Sequence, residues 1–196
     1  VFIGGGRKHF TIDRKDNKDL LASLRAKKYN VVNTMYEMNY VKTGKLCALL
    51  EEDAMAPYWP DSVRSKDTYL GKEIEVKESR GDMLPKSAQK AIDLLSQNKK
   101  GFFLMVEGSQ IDWGGHANNK AYVVGEMLDF ENTLGQVLDW AEKDGNTLVV
   151  VTADHETGGM ALTDGSLKRG TVEAKFIWKE HTCLLYTSPS PRDRTR

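Results

Sequence analysis

Two apolar runs set the tightest limit on how this chain can fold. Gly101-Phe-Phe-Leu-Met-Val106 and Thr147-Leu-Val-Val-Val-Thr152 show no alternation of polar and apolar residues. A short continuous apolar run is the pattern of a strand buried on both faces, and such strands belong to parallel sheets covered by helices. Between them, residues 117–143 carry Ala121, Val124, Leu128, Leu134, Leu138 and Ala141 at helical spacing. That is the inner stripe of a long amphipathic helix. Strand, helix, strand is a βαβ unit, and it predicts two parallel strands in one sheet.

The preceding residues repeat the theme. Val1 to Gly6 read as a strand entering a glycine turn, and residues 17–28 as a helix with Leu20, Leu21 and Leu24 on one face. Tyr29–Asn33 reads as a short strand. Thr34 is placed to cap a helix reaching about Val41, and Lys45–Leu50 reads as another strand. Residues 51–82, punctuated by Pro57, Pro60, Gly71 and Gly81, read as a surface excursion. Residues 85–98 form a helix with Pro85 in its first turn. The fold class expected is α/β: a mostly parallel central sheet flanked by helices, in three α/β/α layers.

Composition narrows the function classes. Lys+Arg and Asp+Glu both number 28, so the formal net charge is zero and no nucleic-acid-binding surface is indicated. No apolar run approaches the roughly 20 residues of a membrane helix. The two cysteines, Cys47 and Cys183, make neither a disulfide framework nor a metal-type spacing.

Ligands of parallel α/β sheets bind beyond the carboxyl ends of the strands. The first apolar run leads into Glu107-Gly-Ser-Gln-Ile-Asp112-Trp-Gly-Gly-His116, the second into Ala153-Asp154-His155-Glu156-Thr-Gly-Gly159. Carboxylates and imidazoles, the donors zinc accepts, therefore converge on one rim. Asp112 and His116 share a face if they lie on a helix, although Gly114 and Gly115 weigh against a regular one. An isolated Asp-His pair after a strand is more often an ordinary surface loop. Here, however, two of only four histidines follow apolar runs and stand beside aspartates or one turn from them.

The ordered set Glu107-x4-Asp112-x3-His116, then Thr152-Ala-Asp154-His155, then Glu180-His181-Thr182 resembles the metal-ligand signature of the alkaline phosphatases. Gly4-Gly5-Gly6-Arg7-Lys8 and the bacterial-type loop Glu156-Thr157-Gly158-Gly159 are also similar to that family, and the likeness runs from Val1 to Thr182. The resemblance implies hydrolysis of phosphate monoesters by two zinc ions and one magnesium. It implies that Asp112, His116 and His181 hold one zinc, Asp154 and His155 the second, and Glu107 the magnesium. The family's serine nucleophile and one further aspartate ligand match no residue here and are expected upstream. Ser109 receives no role, and His9 reads as a surface histidine. A homodimer and a location outside the cytoplasm come with the resemblance alone. Two other readings stand beside this one: a different metal-dependent phospho- or sulfo-hydrolase of the same superfamily, and a metal-binding but inactive polypeptide.

Residues 1–182 are therefore expected to be part of an alkaline phosphatase domain. Cys183 to Asp193 depart from the family. A transposon-type sequencing adapter read in frame would translate to this run, and a Pro/Ser/Arg-rich disordered tail is the other reading, so residues 183–196 are expected to be a non-native or disordered tail.

Overall fold

The computed structural model describes residues 1–60, 68–69, 72–73 and 79–181. It divides into two compact units, one of Val1–Ala56, Arg80–Glu107 and Asn132–Val137, the other of Pro57–Ser79, Gly108–Glu131 and Leu138–Arg196.

The first unit is built on a parallel sheet. Strands β1 (Phe2–Gly4), β2 (Tyr29–Val32) and β3 (Lys45–Leu49) lie in the order β1-β3-β2, with Phe2 and Val31 both opposite Cys47. Side chains alternate across a strand, and β3 uses both faces. Leu46, Ala48 and the following Leu50 pack with Met38, Met83 and Leu94, whereas Cys47 and Leu49 pack with Leu21 on the other side. Met38 comes from helix α2 (Met35–Tyr40), Met83 and Leu94 from α3 (Met83–Leu95), and Leu21 from α1 (Leu20–Ala26). The layering is thus helix, sheet, helix. Fully burying a side chain such as Leu46 contributes about 1.5–3 kcal/mol, so β3 anchors this unit.

Local signals start the helices, the first at Leu20 rather than at the expected residue 17. Asp19 accepts a hydrogen bond from the Ala22 amide at 3.0 Å. Thr34 and Glu37 form a reciprocal capping box at the start of α2. After β1, the amides of Gly6, Arg7 and Lys8 donate to the carbonyls of Asp53, Glu51 and Glu52. A Cβ on Gly5 would overlap the Asp53 carbonyl, which is why the turn is glycine there. His9 follows on the surface, its side chain 60% exposed.

In the second unit, β6 (Ala161–Ser166) and β7 (Thr171–Lys175) form an antiparallel hairpin, and β4 (Thr68–Tyr69) pairs with β5 (Lys72–Glu73). Helix α4 (Gln110–His116) precedes the long α5 (Lys120–Asp144). Asn119 caps α5 by accepting from the amides of Ala121 and Tyr122, and Gly145, at φ 68°, ends it.

Two sequence expectations are corrected. The buried positions of α5 are Ala121, Gly125, Glu126, Asp129, Thr133 and Ala141, whereas Leu128 and Leu138 are 42% and 46% exposed. The segment packed on α5 is backbone with donors to satisfy. Glu126 Oε1 accepts the Tyr58 amide at 2.8 Å, and Gly125 leaves room for the Tyr58 carbonyl. Glu126 is tolerated in the buried face because a backbone amide satisfies it. Second, the apolar runs 101–106 and 147–152 are not strands. They pair with no strand among the described residues, and Phe103 and Leu148 are exposed. Apolar composition creates a need for cover, but only a neighbouring strand supplies the hydrogen-bond ladder. Among the described residues the two runs therefore do not supply the strands of the expected βαβ unit.

Part of the excursion at residues 51–82, from 61 to 78 apart from the short ladder, lies outside the described residues, as do Thr182 and the tail at 183–196. Among the described residues, no helix is long and apolar enough to cross a membrane.

Candidate metal centre

Helix α4 is continuous through Gly114 and Gly115, contrary to the doubt those glycines raise in the sequence. The reason is close packing. A Cβ at Gly115 would stand 2.8 Å from the Thr157 carbonyl oxygen, and one at Gly114 would stand 2.8 Å from the Val123 amide. The helix puts Asp112 and His116 one turn apart on one face, with Nε2 of His116 3.4 Å from Oδ2 of Asp112.

Two more histidines arrive from elsewhere in the chain. His181 Nε2 lies 3.2 Å from Asp112 Oδ1. The rings of His155 and His181 lie tilted against each other with centroids 3.7 Å apart, and those of His116 and His181 are 5.0 Å apart. Asp112, His155 and His181 each offer a ligand atom, all within 4.8 Å of one another. Backbone bonds hold the convergence: the Gly158 amide donates to the Glu180 carbonyl, the Ile177 amide donates to the Gly158 carbonyl, and Thr157 bridges His181.

The hydrogen-bond chemistry suits a cation. His116 Nδ1 is 2.5 Å from the Lys179 carbonyl oxygen. A carbonyl only accepts, so Nδ1 carries the proton. In the neutral ring Nε2 is then a lone pair facing the Asp112 carboxylate, acceptor against acceptor, unless a proton or a cation lies between. A backbone carbonyl fixing the tautomer of a metal-binding histidine is the usual outer-shell arrangement. Asp112 is held below the ordinary carboxylate range. Burial pushes its carboxyl up, but the Thr157 hydroxyl and the imidazoles of His116 and His181 outweigh that. His116 is raised, chiefly by the Lys179 carbonyl, against burial and with help from Asp112 and Glu180.

The remaining residues singled out in the sequence are not among the three grouped donors. Asp154 is exposed, accepts the His155 amide at 3.0 Å and lies 3.2 Å from His155 Nε2. Glu107 is exposed, belongs to the other compact unit and is not one of the three grouped donors. Ser109 precedes α4 and makes no side-chain cap bond.

The alkaline phosphatase family model matches residues 1–190. The chain belongs to the alkaline phosphatase family. It is 36% identical over 162 residues to alkaline phosphatase 4 of Bacillus subtilis (strain 168), covering 83% of this chain and 31% of that protein. It is 34% identical over 191 residues to the alkaline phosphatase of Escherichia coli (strain K12), covering 89% and 40%. The structure of alkaline phosphatase from the Antarctic bacterium TAB5 superposes with a TM-score of 0.75 at 37% identity, covering 92% of this chain and 50% of that one. A mutant of the TAB5 alkaline phosphatase, described as having Mg bound in the M3 site, superposes with a TM-score of 0.71 at 34% identity, covering 92% of this chain and 50% of that one. The chain thus spans about a third of the Bacillus subtilis alkaline phosphatase 4 and half of the TAB5 alkaline phosphatase.

Two participants were not singled out as ligands or supports in the sequence. Thr157 donates to Asp112 at 2.5 Å, and Lys179 acts through its carbonyl. The Thr-Gly-Gly following Asp154-His155-Glu156 was the one signal for Thr157. A backbone carbonyl leaves no signal in sequence.

Proposed function

We propose that this chain supplies most of the metal centre of an enzyme that hydrolyses phosphate monoesters. The observation that carries the reading is the convergence of Asp112, His155 and His181 within 4.8 Å, with His116 presenting Nε2 to the same carboxylate. Mixed carboxylate and imidazole donors are what zinc accepts. Membership of the alkaline phosphatase family supports the reaction class.

In this reading Asp112, His116 and His181 hold one zinc, Asp154 and His155 a second, and Glu107 a magnesium. Bound divalent ions supply Lewis-acid stabilisation of the entering and leaving oxygens of an in-line phosphoryl displacement. The chain's own groups set the stage for it. Asp112 contributes fixed negative charge, kept ionised by Thr157 and two imidazoles. The Lys179 carbonyl holds His116 in the tautomer that frees Nε2. Three carboxylates leave three divalent ions with surplus positive charge, so the centre attracts a phosphate dianion. Location outside the cytoplasm and a homodimer belong to the same proposal. No serine of this sequence is assigned the nucleophile, so the 196-residue chain alone is proposed to bind metal without turnover.

The test is release of p-nitrophenol from p-nitrophenyl phosphate at alkaline pH by the protein containing this chain. Turnover that needs zinc and magnesium and stops on chelation is expected. No turnover with both metals supplied would end the proposal.

A further inference from the structure

Thr157 reaches three of the donor-bearing residues at once. Its Oγ1 lies 2.5 Å from Asp112 Oδ1 and 3.2 Å from His155 Nδ1, and its backbone bridges that of His181. A hydroxyl has one proton, and an ionised carboxylate only accepts. The proton therefore goes to Asp112, and the contact with His155 requires the proton of that pair to sit on His155 Nδ1. Nε2 of the neutral ring is then the lone pair that a metal can use.

The hydroxyl is held from both sides. A Cβ on Gly115 would stand 2.9 Å from Thr157 Cβ and Cγ2, and one on Gly158 would stand 2.7 Å from the Gly115 carbonyl oxygen. The adjoining turn is tied at Gly158 to the 177–180 segment by its amide and its carbonyl. Helix and turn meet backbone to backbone, which fixes the distance from Oγ1 to the carboxylate.

We propose that Thr157 is a positioning residue of the centre: its hydroxyl orients the Asp112 carboxylate and sets the tautomer of His155, so that each presents a ligand atom to the zinc assigned to it. This rests on the metal-centre reading above.

The experiment measures zinc affinity of the full chain by competition with a chromogenic chelator, together with the visible spectrum of the cobalt(II)-loaded chain. Thr157→Val keeps the shape and removes the hydroxyl; it is expected to weaken zinc binding about 10–100-fold and to shift the cobalt bands. Thr157→Ser restores the hydroxyl and is expected to restore both readouts. If Thr157→Val does not fold, Thr157→Ala removes the hydroxyl without crowding and decides by the same affinity. Native affinity and an unshifted cobalt spectrum in a folded hydroxyl-deleted variant overturn the positioning role alone. So does a serine variant as weak as the valine one, because the methyl group would then be what matters. A native chain that retains no zinc overturns the metal-centre reading, and this inference with it.

Discussion

Asp112 and His116 face each other across one helical turn, Oδ2 to Nε2 at 3.4 Å, with Gly114 and Gly115 between them. The glycines weaken the helix by intrinsic propensity, yet they let its backbone lie against Val123 on one side and Thr157 on the other. Gly115→Ala should therefore destabilise the chain despite alanine's better helix propensity, by about 1–3 kcal/mol of overpacking strain. Chemical denaturation measures it. A neutral or stabilised variant would show that the close approach to Thr157 is not there.

Asp112 is the residue on which His116, His181 and Thr157 all converge. Asp112→Ala should reduce zinc retention by more than the roughly 10–100-fold that losing an outer-shell partner costs, and activity of the parent enzyme should fall with it. Metal analysis after dialysis is the check, and unchanged zinc content would remove Asp112 from the ligand set.

Leu46 is fully buried on β3, the strand that lies between β1 and β2. Leu46→Ala should cost about 2–5 kcal/mol, the transfer loss plus the cavity left behind. Urea unfolding gives the value. A cost under about 0.5 kcal/mol, the range of surface substitutions, would mean this strand is not a core element.

Glu37 closes the capping box of α2. Its carboxyl is lowered, first by the Asn33 amide, against burial, and then by Thr34. A carboxylate lowered in the folded state contributes stability that is present above its unfolded pKa, about 4.3, and is lost as pH falls through the folded value. Compared with Glu37→Gln, the native chain should lose stability more steeply on acidification below about pH 4.3. Thermal midpoints between pH 3 and 7 test this, and parallel curves for the two proteins would refute it. Thr34→Ala should cost about 1 kcal/mol at neutral pH, the usual loss of an N-cap.

The first fifty residues were legible in sequence because their signals are local. A cap such as Thr34, helical spacing in Leu20, Leu21 and Leu24, and the short strand runs each act within a few residues, and the fold follows them closely. The long helix was legible as a helix but not in its orientation. Which of its faces is buried depends on the 57–60 segment, where Tyr58 meets Glu126, 68 positions away in sequence. The apolar runs at 101–106 and 147–152 were legible as needing cover, while pairing is a property of two strands and cannot be read from one.

The same division runs through the site. By itself the sequence determined the donor inventory: which carboxylates and imidazoles follow the apolar runs, and a spacing that would set Asp112 and His116 on one helical face. Tertiary structure decided which donors meet. His155 lies against His181 rather than standing only beside Asp154, and Thr157 joins Asp112 to both. The reason is physical. Donor identity is covalent and belongs to the residue, whereas the 4.8 Å convergence is produced by backbone bonds between the 157–158 turn and the 177–181 segment, groups that every residue carries and no residue type announces.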